Sequence, residues 1–498
     1  NYKIQHPNSS VNMPEGGNPA IAVRGDIIAV SGVYTNSTFN MSAGSGISFS
    51  IDGGDTWKYI SQPIDPMPTQ YSCKWWRDNN LPVFYDSEEE CNSECIDCDD
   101  STSNCSRMYQ YISWGGQNNI VHLAVTIDVN NISYGLEIHG DYIYASSWAG
   151  GLRRYNYVLD SGEWEIVPLP LDNQNHLYCG AINQNNYVND PAGDSVCNDL
   201  DGDGCEESES CGSENDNQKA FSVYAVEDTL WVGTANGINK GIVSGDCIDW
   251  EHLTAEQNGL YDNWVLSFSH EVLSDGSIRM WAVTWDRRYE KSHYTYGGPP
   301  CYSDDGGDNW NIVTQLDQMD ILAYNVSVHP LINDTQGAGV LVSSNEGLFI
   351  SNQIGNVWEK IDLPSYVSGA HVFDAEVMSS MEDTWIGTSS GVLVEYAGYY
   401  DYLTASGNAD IKFYSYPNPA SSVVTFTYED SESNMDGKIA IFDFSMDRVI
   451  ELNASGVTRW YGNNENGDSV ADGVYFARYT HFDGSVHWFK ILCMGMGS

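Results

Sequence analysis

The chain has 498 residues and sets 21 Lys and Arg against 69 Asp and Glu, a formal charge of −48 at neutral pH. Such a surface repels phosphate backbones and anionic lipid headgroups, which excludes nucleic acid as a partner and favours divalent cations. No run of 18 apolar residues occurs, so no membrane-spanning helix is expected. Hydrophobic residues make up 41%, enough for burial, and the length asks for several cores or for one built as a repeat ring. The chain opens at Asn1 with no basic-then-apolar leader, and reads as a mature, processed form.

In chain order, the first element is the apolar strand "DIIAVSGV" (26–33), followed by a polar loop and "GISFSIDGGDTWKYI" (46–60). Next comes a loop-like stretch, about 62–118, holding Cys73, Cys91, Cys95, Cys98 and Cys105. "DYIYASSWAGGLRRYNY" (141–157) leads to "GEWEIVPL", and a second such stretch, about 171–219, holds Cys179, Cys197, Cys205 and Cys211. Cysteines clustered in loops are read as disulfides of an oxidising compartment, because Cys95 and Cys98 form the only CxxC and no second pair completes a zinc site. The same alternation returns in "DTLWVGTANGINKGIV" (228–243), "RMWAVTWD" (279–286) with "CYSDDGGDNWNIV", "GVLVSSNEGLFIS" (339–351) and "DTWIGTSSGVLVEY" (383–396).

Each unit reads as an apolar strand, a Gly turn, an alternating strand, a second turn and a strand that often opens with Trp. An alternating segment such as "AYNVSVHPL" supplies a preceding strand. Four short strands at about 40–50 residues per repeat are the signature of propeller blades. The expected fold is therefore all-β, a six- or seven-bladed β-propeller over 1–405, with six units clear. Residues 107–130 supply the seventh blade together with "NYKIQHP" at the N-terminus.

The octets "SIDGGDTW" (50–57) and "SDDGGDNW" (303–310) resemble the Asp-box of sialidase-like, BNR-repeat propellers. Ser50, Asp52, Gly54, Thr56 and Trp57 match in full; Asn309 replaces Thr in the second, and "SNQIGNVW" (351–358) is a degraded third with Gln353 in place of Asp. The resemblance implies a hairpin turn between the third and fourth strands of a blade. The physics agrees: a carboxylate caps turn amides, Gly supplies positive φ, and Trp packs. The octets are thus read as fasteners and not as catalytic residues.

After the Pro-Asn-Pro of "YSYPNPASS" (414–422), the remainder consists of short alternating strands, hence a small Ig-like β-sandwich over 411–498. Tyr416 to Pro419, "IAIFDFSMDRVIEL", the turn from Trp460 to Gly467 and "DGVYFARY" resemble the C-terminal sorting domain of type IX secretion cargo. The resemblance implies export through the outer membrane of a Gram-negative, Bacteroidetes-type bacterium, to the cell surface or beyond, by the type IX machinery.

Propeller geometry sends the octets to one face and both cysteine-rich insertions to the other, where ligands usually bind, so the insertions are expected to crown the ligand face. The loop 284–301 joins them there with Trp285, Asp286, Arg287, Arg288, Tyr289 and His293; Trp148 and Arg153 are near the same face. Arginines beside aromatic rings suit a sugar or a carboxylate, although they also pair with the abundant acids. The sialidase arginine set is not matched, since the first blade offers only Arg24. In "NDLDGDGCEESES", Asp199, Asp201, Asp203 and the following Gly open like a calcium loop, with Cys205 and Glu207 beside them, so structural calcium is expected. The function expected is binding of an extracellular glycan or protein, within a homo-oligomer, filament or other extracellular assembly; the alternative is a glycoside hydrolase or lyase at the 284–301 loop.

Overall fold

The computed structural model describes residues 18–73, 76–77, 83–94, 105–115, 117–159, 162–182, 188–189, 196–197, 215–273, 275–290, 293–329, 339–351, 357–364, 367, 370–378, 383–389, 391–396, 399–403, 413–416, 420, 422–428, 437–443, 448–454, 457–471, 473–481 and 486–493. The described chain is nearly all β and is built of many antiparallel sheets. It forms two compact units, 1–320 and 321–498.

In the first unit four sheets follow one another in simple up-and-down order. They span Ile21–Arg24 to Lys58–Ile60, Ser133–His139 to Glu165–Ile166, Ala220–Val226 to Cys247–Leu253, and Trp264–Val272 to Asn311–Ile312. The first strand of each of the last three sheets packs against the sheet before it. The second strands carry the core: Tyr144, Trp231 and Trp281 are buried at their centres. Rings of this size each remove on the order of 200 Å² from water, the main force holding sheet on sheet.

The two octets are the turns between third and fourth strands. Asp52 Oδ1 accepts the Thr56 N–H at 2.8 Å and the Ser50 hydroxyl at 2.7 Å, and its Oδ2 accepts the Thr56 hydroxyl at 2.5 Å. Asp305 repeats this with the Asn309 N–H at 2.9 Å and its side-chain amide at 2.7 Å, so Asn replaces Thr without losing a donor. Hydrogen bonds from the Thr56 hydroxyl and N–H, then from Ser50, hold the Asp52 carboxyl down to about 2. Gly53 and Gly54 take φ of +70° and +92°, which a side chain would resist.

Each cysteine-rich insertion is tied off by the same buried device. Asn131 Nδ2 donates to the Pro63 carbonyl at 2.9 Å, and its Oδ1 accepts the Ser147 hydroxyl at 2.8 Å. Asn217 Nδ2 donates to the Pro170 carbonyl at 2.8 Å, and its Oδ1 accepts the Thr234 hydroxyl at 2.8 Å. The two ends of each excursion are thereby joined to each other and to a second strand, so the sheets meet as though the insertion were absent.

Two described pieces of the insertions, 176–179 and the 109–123 hairpin, pack along the flank of the sheets and not only at one face. His176–Leu177 pairs with Cys247–Leu253 as a fifth strand, and Cys179 is disulfide-bonded to Cys247 near the sheet's opposite end. The hairpin Tyr109–Trp114/Gln117–Leu123 follows the same course: Trp114, Ile120, Leu177, Cys179 and Trp250 share one core cluster. The physical reason is the otherwise unpaired edge of the outer strand Cys247–Leu253, which is covered more favourably than left open. Within the insertions Cys91 is bonded to Cys105, and the described sheet partner of the 109–123 hairpin is Val188–Asn189 of the other insertion. Residues 1–17, needed for the expected seventh blade, lie outside the described residues, as do most of 351–358.

In the second unit, two further four-stranded sheets span Ala323–His329 to Trp358–Lys360 and Val372–Met378 to Tyr399–Leu403. The tail has a three-stranded sheet and a four-stranded sheet in the order 448–454, 437–442, 473–481, 486–493. Val424, Phe426, Trp460, Ile439, Tyr479 and Ile491 from the two sheets share one core.

Candidate functional site

The candidate site grows from a repeated irregularity. The first strands of three sheets in the first unit are bulged near their start, between Ser133 and Gly135, Ala220 and Ser222, and Val265 and Ser267. A bulge leaves one residue without a ladder partner and re-aims its side chain. Here those residues are Tyr134, Phe221 and Leu266, and all three line one cavity of about 550 Å³. Trp148, in the turn after the second strand Tyr142–Ser147, Asn130, and the paired residues Trp264 and Trp285 complete the wall.

Trp148 and Trp264 meet edge to face, and Phe221 is tilted against both. Trp148 lies 5.3 Å from Phe221 and 5.7 Å from Trp264, and Phe221 lies 5.5 Å from Trp264. All remain partly exposed, and Tyr134 is 49% exposed at the rim. Asn130 holds φ of +57°, a conformation Asn tolerates better than most residues. The ammonium of Lys219 lies 5.2 Å from the centre of the Trp148 ring and is ion-paired with Asp216 at 2.8 Å. Because first strands begin and second strands end here, the pocket is at the end of the sheets opposite the octet turns.

Trp148 and Trp285, both singled out in the sequence, meet in this pocket. Arg153 does not join them. It is 2% exposed and donates twice to Asp65, at 2.7 and 2.8 Å, while His122 Nε2 lies 2.9 Å from the same carboxylate. An arginine held in this way is a structural ion pair that anchors the first insertion. Arg154 is likewise buried, donating to Glu165 at 2.7 Å and lying over the rings of Trp114 and Tyr142. Asp286, Arg287, Arg288, Tyr289 and His293 fall on Ile278–Glu290 and His293–Gly297, which pair as a ribbon; their side chains lie outside the described part. Asp199, Asp201, Asp203, Cys205 and Glu207 lie outside the described residues.

Sequence reasoning missed Tyr134, Phe221 and Trp264, though a signal existed. The second residue of "SYGLEIH", "AFSVYAV", "AYNVSVH" and "VFDAEVM" is aromatic in each case. In the second unit the corresponding bulge residues, Tyr324 and Phe373, lie 5.3 Å apart, and the Tyr324 hydroxyl is 3.1 Å from His371 Nδ1.

No protein-family model matches the chain, and no curated protein sequence matches it. Among solved structures it is similar to PorZ of Porphyromonas gingivalis, described as an essential bacterial surface component of the type-IX secretion system, at 12% identity and a TM-score of 0.35; the match covers 97% of this chain and 60% of PorZ. It is also similar to YCF48 bound to D1 peptide (11%, 0.39, 84% of this chain and 90% of that one) and to BamB from Moraxella catarrhalis (11%, 0.33, 82% and 93%). These are β-propeller-like proteins. The chain spans 60% of the length of PorZ.

Proposed function

We propose that the chain is a secreted β-propeller of six or seven blades followed by an Ig-like sorting domain. It is exported by the type IX machinery of a Gram-negative bacterium and works at the cell surface by holding a glycan or protein partner. The observation that carries this reading is the open pocket of three tryptophans, a phenylalanine and a tyrosine, built by bulges that re-aim side chains the sheets do not need. The fit of both octets to the Asp-box supports the propeller. The disulfides Cys91–Cys105 and Cys179–Cys247 support an oxidising, extracellular site. Calcium is proposed at Asp199, Asp201 and Asp203, with Glu207, as a stiffener of the second insertion.

The test is retention of a partner from a glycan array and from solubilised cell-surface proteins by the immobilised full chain, with calcium and with a chelator. Trp148→Ala combined with Trp264→Ala is expected to weaken retention at least tenfold, since truncated aromatic anchors commonly lose 2 kcal/mol or more, about thirtyfold. The chelator is expected to speed proteolysis of 171–219. Retention indifferent to both tryptophans, or turnover of a polymer by the purified chain, would overturn the reading.

A further inference from the structure

Resting on that reading of the pocket, we infer that its occupant is a cationic group: a lysine or arginine side chain, or a methylated ammonium, on a basic segment of a protein partner. The walls carry no charge of their own among the described lining residues, yet they present ring faces, and ring faces attract cations. The fold already uses one of them this way, since the Lys219 ammonium sits over Trp148.

That lysine does not make the rim positive. Asp216 pairs with it at 2.8 Å, and Asp172 accepts the N–H groups of Asp216 and Asn217 at 3.1 and 2.7 Å, so two carboxylates stand against one ammonium. Acids also stand beside two other chain passages into the pocket: Asp128 is two residues before Asn130 and Asp262 two before Trp264, while Asp286 after Trp285 is followed by Arg287 and Arg288 and adds no net negative charge. Over the whole chain the charge is −48. A field of that sign draws cationic segments in and keeps anionic ones away. A neutral sugar would gain the stacking but nothing from the charge.

The experiment compares choline with its neutral isostere 3,3-dimethyl-1-butanol on the intact chain, by tryptophan fluorescence and by competition with a lysine-rich hexapeptide. The two small probes share shape and differ in charge alone. Choline is expected to bind about tenfold tighter than the isostere and to compete with the peptide. Trp264→Phe should keep most of the binding, and Trp264→Ala should lose it. Equal binding of the two probes would overturn the cation assignment and leave the pocket reading standing, as would binding of neutral oligosaccharides in place of both. If no cation, sugar or peptide perturbs the pocket tryptophans, the proposed function fails with it.

Discussion

Asp65→Asn is expected to lower the stability of the 1–320 unit by about 3–5 kcal/mol, because it strands the Arg153 guanidinium in the interior. Arg153 is 2% exposed, His122 is fully buried and Asp65 is 9% exposed, so water cannot replace the lost carboxylate. Asp65 also accepts the Val125 N–H at 2.8 Å and so holds both ends of the first insertion's return path. Burial pushes its carboxyl up; the hydrogen bonds and charges of Arg153 and His122 outweigh burial and leave it well below the ordinary carboxylate range. A depressed carboxyl contributes stability that is present above the unfolded value, about 4, and is lost as pH falls below it. Denaturant unfolding at neutral pH and at about pH 3 should therefore show a large loss for Asp65→Asn at the first and a smaller one at the second. The double variant Asp65→Leu/Arg153→Met should recover part of the loss, since matched apolar side chains replace buried ion pairs well. A loss below about 1 kcal/mol for the single variant would show that the pair is dispensable.

Breaking Cys179–Cys247 is the second large effect. The bond closes a loop with a sequence separation of 68, for which chain entropy gives roughly 4 kcal/mol. Cys179→Ser with Cys247→Ser should lower the melting temperature and release the segment after Leu177 to protease well before the sheets open. The site is also tight: a Cβ on Gly115, at φ +56°, would meet Cys179 Sγ at 2.2 Å. Gly115→Ala is thus expected to destabilise the same flank even with the disulfide intact. Protease resistance unchanged in the double serine variant would show that the fifth strand holds the insertion without the bond.

Much of the molecule was legible along the chain because its instructions are local. The octets read as turns, since Ser50, Asp52 and Thr56 satisfy one another within four residues. The strand repeats read as sheets, since alternation and Gly turns need no distant partner. The start of each insertion was legible too, falling directly after the fourth strands Lys58–Ile60 and Glu165–Ile166.

What the chain alone determined, then, is the series of antiparallel sheets, the chemistry of their corners and the points at which extra segments leave them. Tertiary structure decided that Arg153 meets Asp65, 88 residues away, that Cys179 meets Cys247 beyond the two clusters, and that His176–Leu177 covers the outer strand Cys247–Leu253. It also decided that Tyr134, Phe221, Trp264 and Trp285 converge. The physical reason is that a turn is satisfied by its own neighbours, whereas a pocket depends on strand register and bulge position in sheets far apart in sequence. Those are set by packing, and neither composition nor spacing encodes which distant rings will share a cavity.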